Sequence, residues 1–204
     1  MTGAISYREE VKRKLIHLSS LWMPVAILFI DRQVMLWVFG GCLVGNLILE
    51  RLRAERVKWV TPLYDRFFGR MLRFEPRPGQ WIISGGPYVF AAALVVTWLV
   101  PPPVAAAGMA VMLCGDTAAA LIGRKFGKHA VVNGKSLEGC LAFCLAGYAG
   151  AVVFTQGAFA ITMIPCVIAG MLAELFEKNT HVDDNFSIPV VSSLVWLLLT
   201  GIAG

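Results

Sequence analysis

Residues 103–139 read PVAAAGMAVMLCGDTAAALIGRKFGKHAVVNGKSLEG. From Pro101 to Gly115 there is no charge; then comes a lone acid, Asp116, and after it the densest mixture of glycine and basic residues in the chain. A transmembrane helix needs about 20 mostly apolar residues, and the stretch 103–122 meets that requirement with Asp116 inside it. An ionisable group at membrane depth is expensive and marks a functional candidate by default. The same ruler finds further apolar runs at 14–30, 34–51, 80–100, 139–156, 158–177 and 187–203. The expected fold is an all-α polytopic membrane protein of about seven transmembrane helices, forming a single domain over residues 1–204.

Composition agrees. Of the 204 residues, 57% are hydrophobic and 15% charged, and the mean hydropathy is +0.70. Soluble domains carry roughly 45–50% apolar and about 25% charged residues. The charges that remain are lopsided, 18 Lys and Arg against 13 Asp and Glu, for a net +5. On a soluble protein that surplus would suggest nucleic acid; here it is topology, and no nucleic-acid partner is expected. The connections alternate between short ones (31–33, 101–102, 157) and longer polar ones (52–79, 123–138, 178–186). Every Lys and Arg except Arg32 falls on the side of the N-terminus and the longer loops. The positive-inside rule then places the N-terminus and the polar chemistry in the cytoplasm and the C-terminus outside, in a multi-pass protein of the cell (inner) membrane. The first run is not read as a signal peptide, because His17 and Pro24 interrupt it. Cys42, Cys114, Cys140, Cys144 and Cys166 lie in apolar runs without a CxxC pair, so they read as small buried hydrophobes rather than a disulfide scaffold.

Residues 56–74, RVKWVTPLYDRFFGRMLRF, place Val57, Val60, Tyr64, Phe67 and Met71 at helical spacing with Arg56, Arg66, Arg70 and Arg73 between them. This is the pattern of an amphipathic interfacial helix between spans two and three, either an anchor or a gate for a lipid, with Pro62 starting or breaking it.

Asp116 has company. Glu174 holds a similar place near the end of the run 158–177. Gly123 and Gly127 allow tight backbone geometry, and Gly134-Lys135-Ser136 can expose successive amides as an anion nest. Arg124, Lys125, Lys128 and Lys135 suit phosphate oxygens, although any loop on the positive side is rich in such residues. A P-loop is rejected: His129 stands where its first glycine belongs, and no strand precedes. Arg13 and Lys14 sit at the membrane entrance, with His17 one turn beyond Arg13. His181-Val182-Asp183-Asp184-Asn185 offers hard oxygen ligands of the kind that hold Mg²⁺ together with phosphates, or a helix cap before the last run.

Taken together, Arg13-Lys14 with His17, Gly115-Asp116 with Gly123-Arg124-Lys125-Phe126-Gly127, Gly134-Lys135-Ser136-Leu137-Glu138-Gly139, and Asp183-Asp184-Asn185 with Pro189 resemble the CTP-dependent lipid kinases. That family includes dolichol kinase, phytol kinase and the fungal-type diacylglycerol kinase, and is distantly similar to phosphatidate cytidylyltransferase. The resemblance runs from about residue 8 to the C-terminus, and the chain looks like a minimal seven-span core. It implies transfer of the γ-phosphate of CTP to the hydroxyl of a membrane lipid alcohol, an isoprenoid alcohol or diacylglycerol, with a divalent cation such as Mg²⁺. The implied site is built from the N-terminus and loops 115–139 and 174–186. Asp116 is the leading metal ligand or base. Glu138, Glu174 and Asp184 are candidates for the second acidic role, with Asn185 beside the metal. Arg13, Lys14, His17, Arg124, Lys125, Lys128 and Lys135 would grip the triphosphate over the backbone of Gly123, Gly127, Gly134 and Ser136. Preference for CTP rests on the resemblance alone. A cytidylyltransferase-like enzyme, or a small ion or solute transporter relaying through Asp116 and Glu174, are the competing readings. The oligomeric state is left open.

Overall fold

The computed structural model describes residues 6–68, 81 and 83–201. They form ten helices: α1 (Tyr7–Ser19), α2 (Trp22–Phe29), α3 (Arg32–Ala54), α4 (Val60–Phe68), α5 (Gly85–Leu99), α6 (Pro102–Phe126), α7 (Leu137–Phe154), α8 (Ala160–Leu175), the short α9 (Glu177–Thr180) and α10 (Asp184–Thr200). Among the described residues there is no strand, only an isolated bridge between Ala130 and Ser136. Three helices, α3, α6 and α7, are long and apolar enough to cross a membrane; α5, α8 and α10 are apolar but shorter.

Local chemistry sets the boundaries. Ser6 and Glu9 form a reciprocal capping box at the start of α1. Asp31 accepts from the amides of Gln33 (2.9 Å) and Val34 (3.2 Å) to open α3, Ser136 accepts from Gly139 to open α7, and Asp183 accepts from Asn185 to open α10. The run 14–30, expected as one span, is two helices. Pro24 has no N–H to give the carbonyl of Ser20, which is taken instead by Met23 in a tighter turn. The helix breaks there, and Lys14 and His17 stay on the separate helix α1.

α6 is the centre of the bundle. In its most apolar stretch 72% of the residues are buried, against 17% in α3 and 22% in α7, so the other helices are arranged around it. Its residues Ala105, Ala106, Ala107, Gly108 and Ala110 let neighbouring backbones come close; a Cβ on Gly108 would lie 2.7 Å from Ser193 Oγ and 3.2 Å from Pro189 O. The outer surface is apolar: Trp37, Leu145, Ile161 and Leu198 are each at least three-quarters exposed. A soluble monomer does not present such patches, whereas a membrane protein does.

α4 lies against the end of α3, where Arg53 pairs with Asp65 at 2.8 Å and stacks over the Tyr64 ring at 5.0 Å. It begins at Val60, with Pro62 in its first turn, and leaves Trp59 and Leu63 exposed. The remainder of the amphipathic pattern, residues 69–74 with Arg70, Met71 and Arg73, lies outside the described residues.

Candidate active site

The α-helical winding of α6 widens to a π-turn over Val111–Asp116 and then resumes at Thr117. Such turns concentrate at functional sites because the extra residue re-aims the side chains beside it. Here it ends on Asp116, which is 5% exposed. Gly115 makes room for Phe143, since a Cβ there would meet that ring at 3.0 Å.

Asp116 is met by α1. Glu10, Lys14 and His17 follow helical spacing and share one face. The Lys14 ammonium, 1% exposed, hydrogen-bonds Asp116 Oδ2. His17 Nε2 lies 3.4 Å from the same oxygen and is buried without a hydrogen-bond partner among the described residues. Two charges so far from water persist because each compensates the other; removing one partner of such a pair typically costs about 3–5 kcal/mol.

Glu10 makes a second junction, which its sequence context did not single out. It is 1% exposed; its Oε1 accepts from Arg13 at 2.5 Å, and its Oε2 stands 3.3 Å from an Arg124 nitrogen. Glu10 thus holds together two guanidinium groups expected to bind phosphates, one from α1 and one from the end of α6. The available signal was its place four residues before Lys14 on the face that carries His17.

The loop between α6 and α7 folds back onto α8. Asn133 (φ 62) and Gly134 (φ 77) are successive left-handed residues, a bend that glycine makes without steric cost. The bend is latched by Asn133 Nδ2, which donates to Leu175 O at 2.8 Å and to Asn179 Oδ1 at 2.7 Å, while Lys178 Nζ donates to Asn133 O at 2.8 Å. Lys135, next in sequence, then reaches Glu174 Oε1 at 2.7 Å. Burial works against the Lys135 charge, but the Glu174 carboxylate, helped by Asp184 and Asp116, more than offsets it, so its pKa stands above that of an ordinary lysine. Asp184, 7% exposed, acts electrostatically on Arg13, His17, Lys135 and Glu174. Arg13, Lys14, His17, Asp116, Lys135, Glu174 and Asp184 therefore gather at one end of the bundle.

Other expected site residues have different surroundings. Gly123 and Gly127 serve the contact between α6 and α7: a Cβ on Gly127 would lie 2.3 Å from Gly123 O and 2.7 Å from Ser136 Oγ, and one on Gly123 would lie 3.2 Å from that oxygen. Ser136 caps α7 with its side chain. Glu138 closes the loop, with Oε1 2.7 Å from His129 Nδ1 and both oxygens accepting from the His129 amide. Lys125 lies over Phe126 at 5.2 Å, and it and Lys128 are exposed. Asn185 turns to Asp183, donating at 2.7 Å, with its amide nitrogen against Gly85.

Asp184 also belongs to a tighter acidic group. One carboxylate oxygen each from Glu177, Asp183 and Asp184 lie within 4.8 Å of one another. Three hard oxygen donors at that spacing fit Mg²⁺ or Ca²⁺, which take carboxylates and complete their shells with water or phosphate. Of the four residues expected to hold a metal, Asp116, Glu174, Asp184 and Asn185, only Asp184 is in this group, and Glu177 was not anticipated.

No protein-family model and no solved structure matches the chain. Four relatives do. An uncharacterised protein of Rickettsia prowazekii is 27% identical across 89% of this chain and 90% of its own length. The dolichol kinase of Schizosaccharomyces pombe is 25% identical over 92% of this chain, and the phytol kinase of Synechocystis is 39% identical over 46% of it. The CTP-dependent diacylglycerol kinase 1 of Schizosaccharomyces pombe is 29% identical over 71% of this chain and 72% of its own length. The chain spans 38% of the dolichol kinase and 43% of the phytol kinase. The three relatives whose activities are named are all lipid kinases, and this helical chain is similar to each of them.

Proposed function

We propose that the protein is a CTP-dependent kinase that moves the γ-phosphate of CTP to the hydroxyl of a membrane lipid alcohol. One observation carries this reading: a buried carboxylate, Asp116, set at a π-turn and ringed by Lys14, His17, Arg13 and Lys135. Phosphoryl transfer asks a protein for in-line positioning and neutralisation of phosphate charge more than for covalent chemistry, and this is what such a cluster supplies. The names of the three relatives agree, and one of them specifies CTP.

In the proposed step the acceptor oxygen bonds to the γ-phosphorus as the bond to the β–γ bridging oxygen breaks. CDP leaves, and the hydroxyl proton passes to Asp116, whose pairing with Lys14 orients it. Lys135 stays charged because of Glu174 and neutralises the transferring group, while Arg13 and Arg124, fixed by Glu10, hold the remaining phosphates. A divalent cation at Glu177, Asp183 and Asp184 would screen the phosphate oxygens. All seven apolar runs cross the bilayer in this proposal, with the N-terminus and the site on the cytoplasmic face of the inner membrane; the distribution of Lys and Arg supports that orientation.

The test is an assay in mixed micelles of the purified protein with CTP labelled in the γ or the α position and a panel of lipid alcohols. Label reaching lipid from the γ position alone is the expected result. Label from the α position would mean cytidylyl transfer instead.

A further inference from the structure

α8 and α10 pack closely, and on one side of their seam they leave a groove of about 430 Å³. That volume lies in the range of roughly 300–1,000 Å³ typical of ligand clefts. Ala169, Leu172 and Ala173 form one wall, and Phe186 and Val190 belong to the other. These residues stand on different helical faces from Glu174, Gly170 and Ile188, which turn into the bundle. The groove therefore runs along the bilayer side of the two helices that carry Glu174 and Asp184.

Two features set the groove apart from the apolar surface elsewhere. Ser187 lines it, and the Ser187 hydroxyl is buried with no hydrogen-bond partner among the described residues. Thr180, the other hydroxyl in the lining, is satisfied by the carbonyls of Phe176 and Glu177. At its loop end the groove is lined by Thr180 and Val182, and Asp183 and Asp184, whose carboxylates group with that of Glu177, follow directly in the chain.

We propose that this groove takes the hydrocarbon chain of the acceptor lipid, with the lipid head at its loop end, directed toward the site that holds Asp184 and Asp116, and Ser187 pairing with a polar oxygen near the head. The assignment rests on the lipid-kinase reading and says where its acceptor sits. In a bilayer an apolar groove gains little from hydrophobicity alone, since lipid tails lie outside it as well. Selection of a substrate then depends on fit and on polar groups that need a partner. The unpaired hydroxyl supplies one at the end where an alcohol must stop, close in the chain to Asp184, whose charge also acts on Arg13 and Lys135.

The experiment uses the full chain in mixed micelles with geranylgeraniol and with dioleoylglycerol as acceptors. Ala169→Phe and Val190→Phe narrow the groove from opposite walls, and unchanged melting temperatures verify their folding. Overfilling the groove crowds out the lipid chain and raises the KM for lipid about tenfold, while the KM for nucleotide and kcat at saturating lipid stay as in the wild type. The acceptor whose KM responds is the chain the groove accommodates. An unchanged lipid KM for both acceptors in both folded variants would overturn the assignment and leave the groove to bulk lipid. If the wild type phosphorylates neither alcohol, the kinase reading fails, and the groove is then decided by photocrosslinking. A diazirine analogue of geranylgeraniol should label residues 169–191 and be displaced by unlabelled alcohol; labelling elsewhere, or labelling that excess alcohol does not displace, would refute it.

Discussion

Lys14→Met is the perturbation that bears most on how the site is built. Lys14 is 1% exposed and its ammonium is bonded to Asp116, itself 5% exposed. Methionine keeps the length and apolar stem of lysine but leaves the Asp116 carboxylate in a low-dielectric interior without its cation. The cost of breaking a buried pair in this way is about 3–5 kcal/mol. At about 2–4 °C per kcal/mol for a chain of this size, the melting temperature in detergent should fall by roughly 6–20 °C. Asp116→Asn is expected to destabilise too, because it strands a buried ammonium. The double variant Lys14→Met/Asp116→Asn removes both charges and should recover most of the loss, giving a strongly favourable coupling in a double-mutant cycle. Thermal unfolding of the four proteins in one detergent is the assay. Single variants that melt with the wild type, or a double variant whose loss equals the sum of the singles, would refute the pairing.

Three further predictions concern the surroundings of this pair. Lys135→Ala should raise the KM for nucleotide at least about tenfold, the scale of one charge-assisted hydrogen bond, whereas the exposed Lys125→Ala should change it less than about twofold; steady-state kinetics with varied CTP distinguishes them. Glu10→Gln weakens the hold on Arg13 and Arg124 and should raise the nucleotide KM while leaving the lipid KM unchanged; a wild-type nucleotide KM would show that Glu10 positions neither arginine. Gly127→Ala places a Cβ 2.3 Å from Gly123 O in the last turn of α6 and 2.7 Å from Ser136 Oγ at the start of α7, overlaps that both the end of α6 and its contact with α7 must shift to relieve. It should cost about 1–3 kcal/mol, and an unshifted melting temperature would contradict that contact.

Much of the architecture was legible in the sequence because hydropathy is additive along a helix: each apolar run corresponds to a helix or a helix pair. The break at Ser20 and Leu21 was harder to foresee, since Pro24 within a run is tolerated in some membrane helices and ends others. Asp116 was legible because a charge in an apolar run has few reasons to be there, Lys14 because it stands at the entrance of one, and Lys135 because it follows a glycine in the loop most suited to phosphate. Glu10 was not, because an acid beside Glu9 and Arg8 at the chain start looks like a solvated charge until α1 is seen against α6. Gly123 and Gly127 illustrate the opposite difficulty. Glycine beside arginine and lysine suggests a phosphate cradle, yet the same residue type is what two closely packed helices require, and only the contact with Ser136 assigns it. Glu138 likewise combined an attractive position with a local duty at His129, nine residues earlier.

The central claim is that the cluster around Asp116 transfers a phosphoryl group to a lipid. It is tested most directly by following γ-labelled CTP into a lipid alcohol with the wild type and with the folded double variant Lys14→Met/Asp116→Asn. The account predicts lipid-bound label with the wild type and essentially none with the double variant. Lipid labelling at the wild-type rate by the double variant would contradict it.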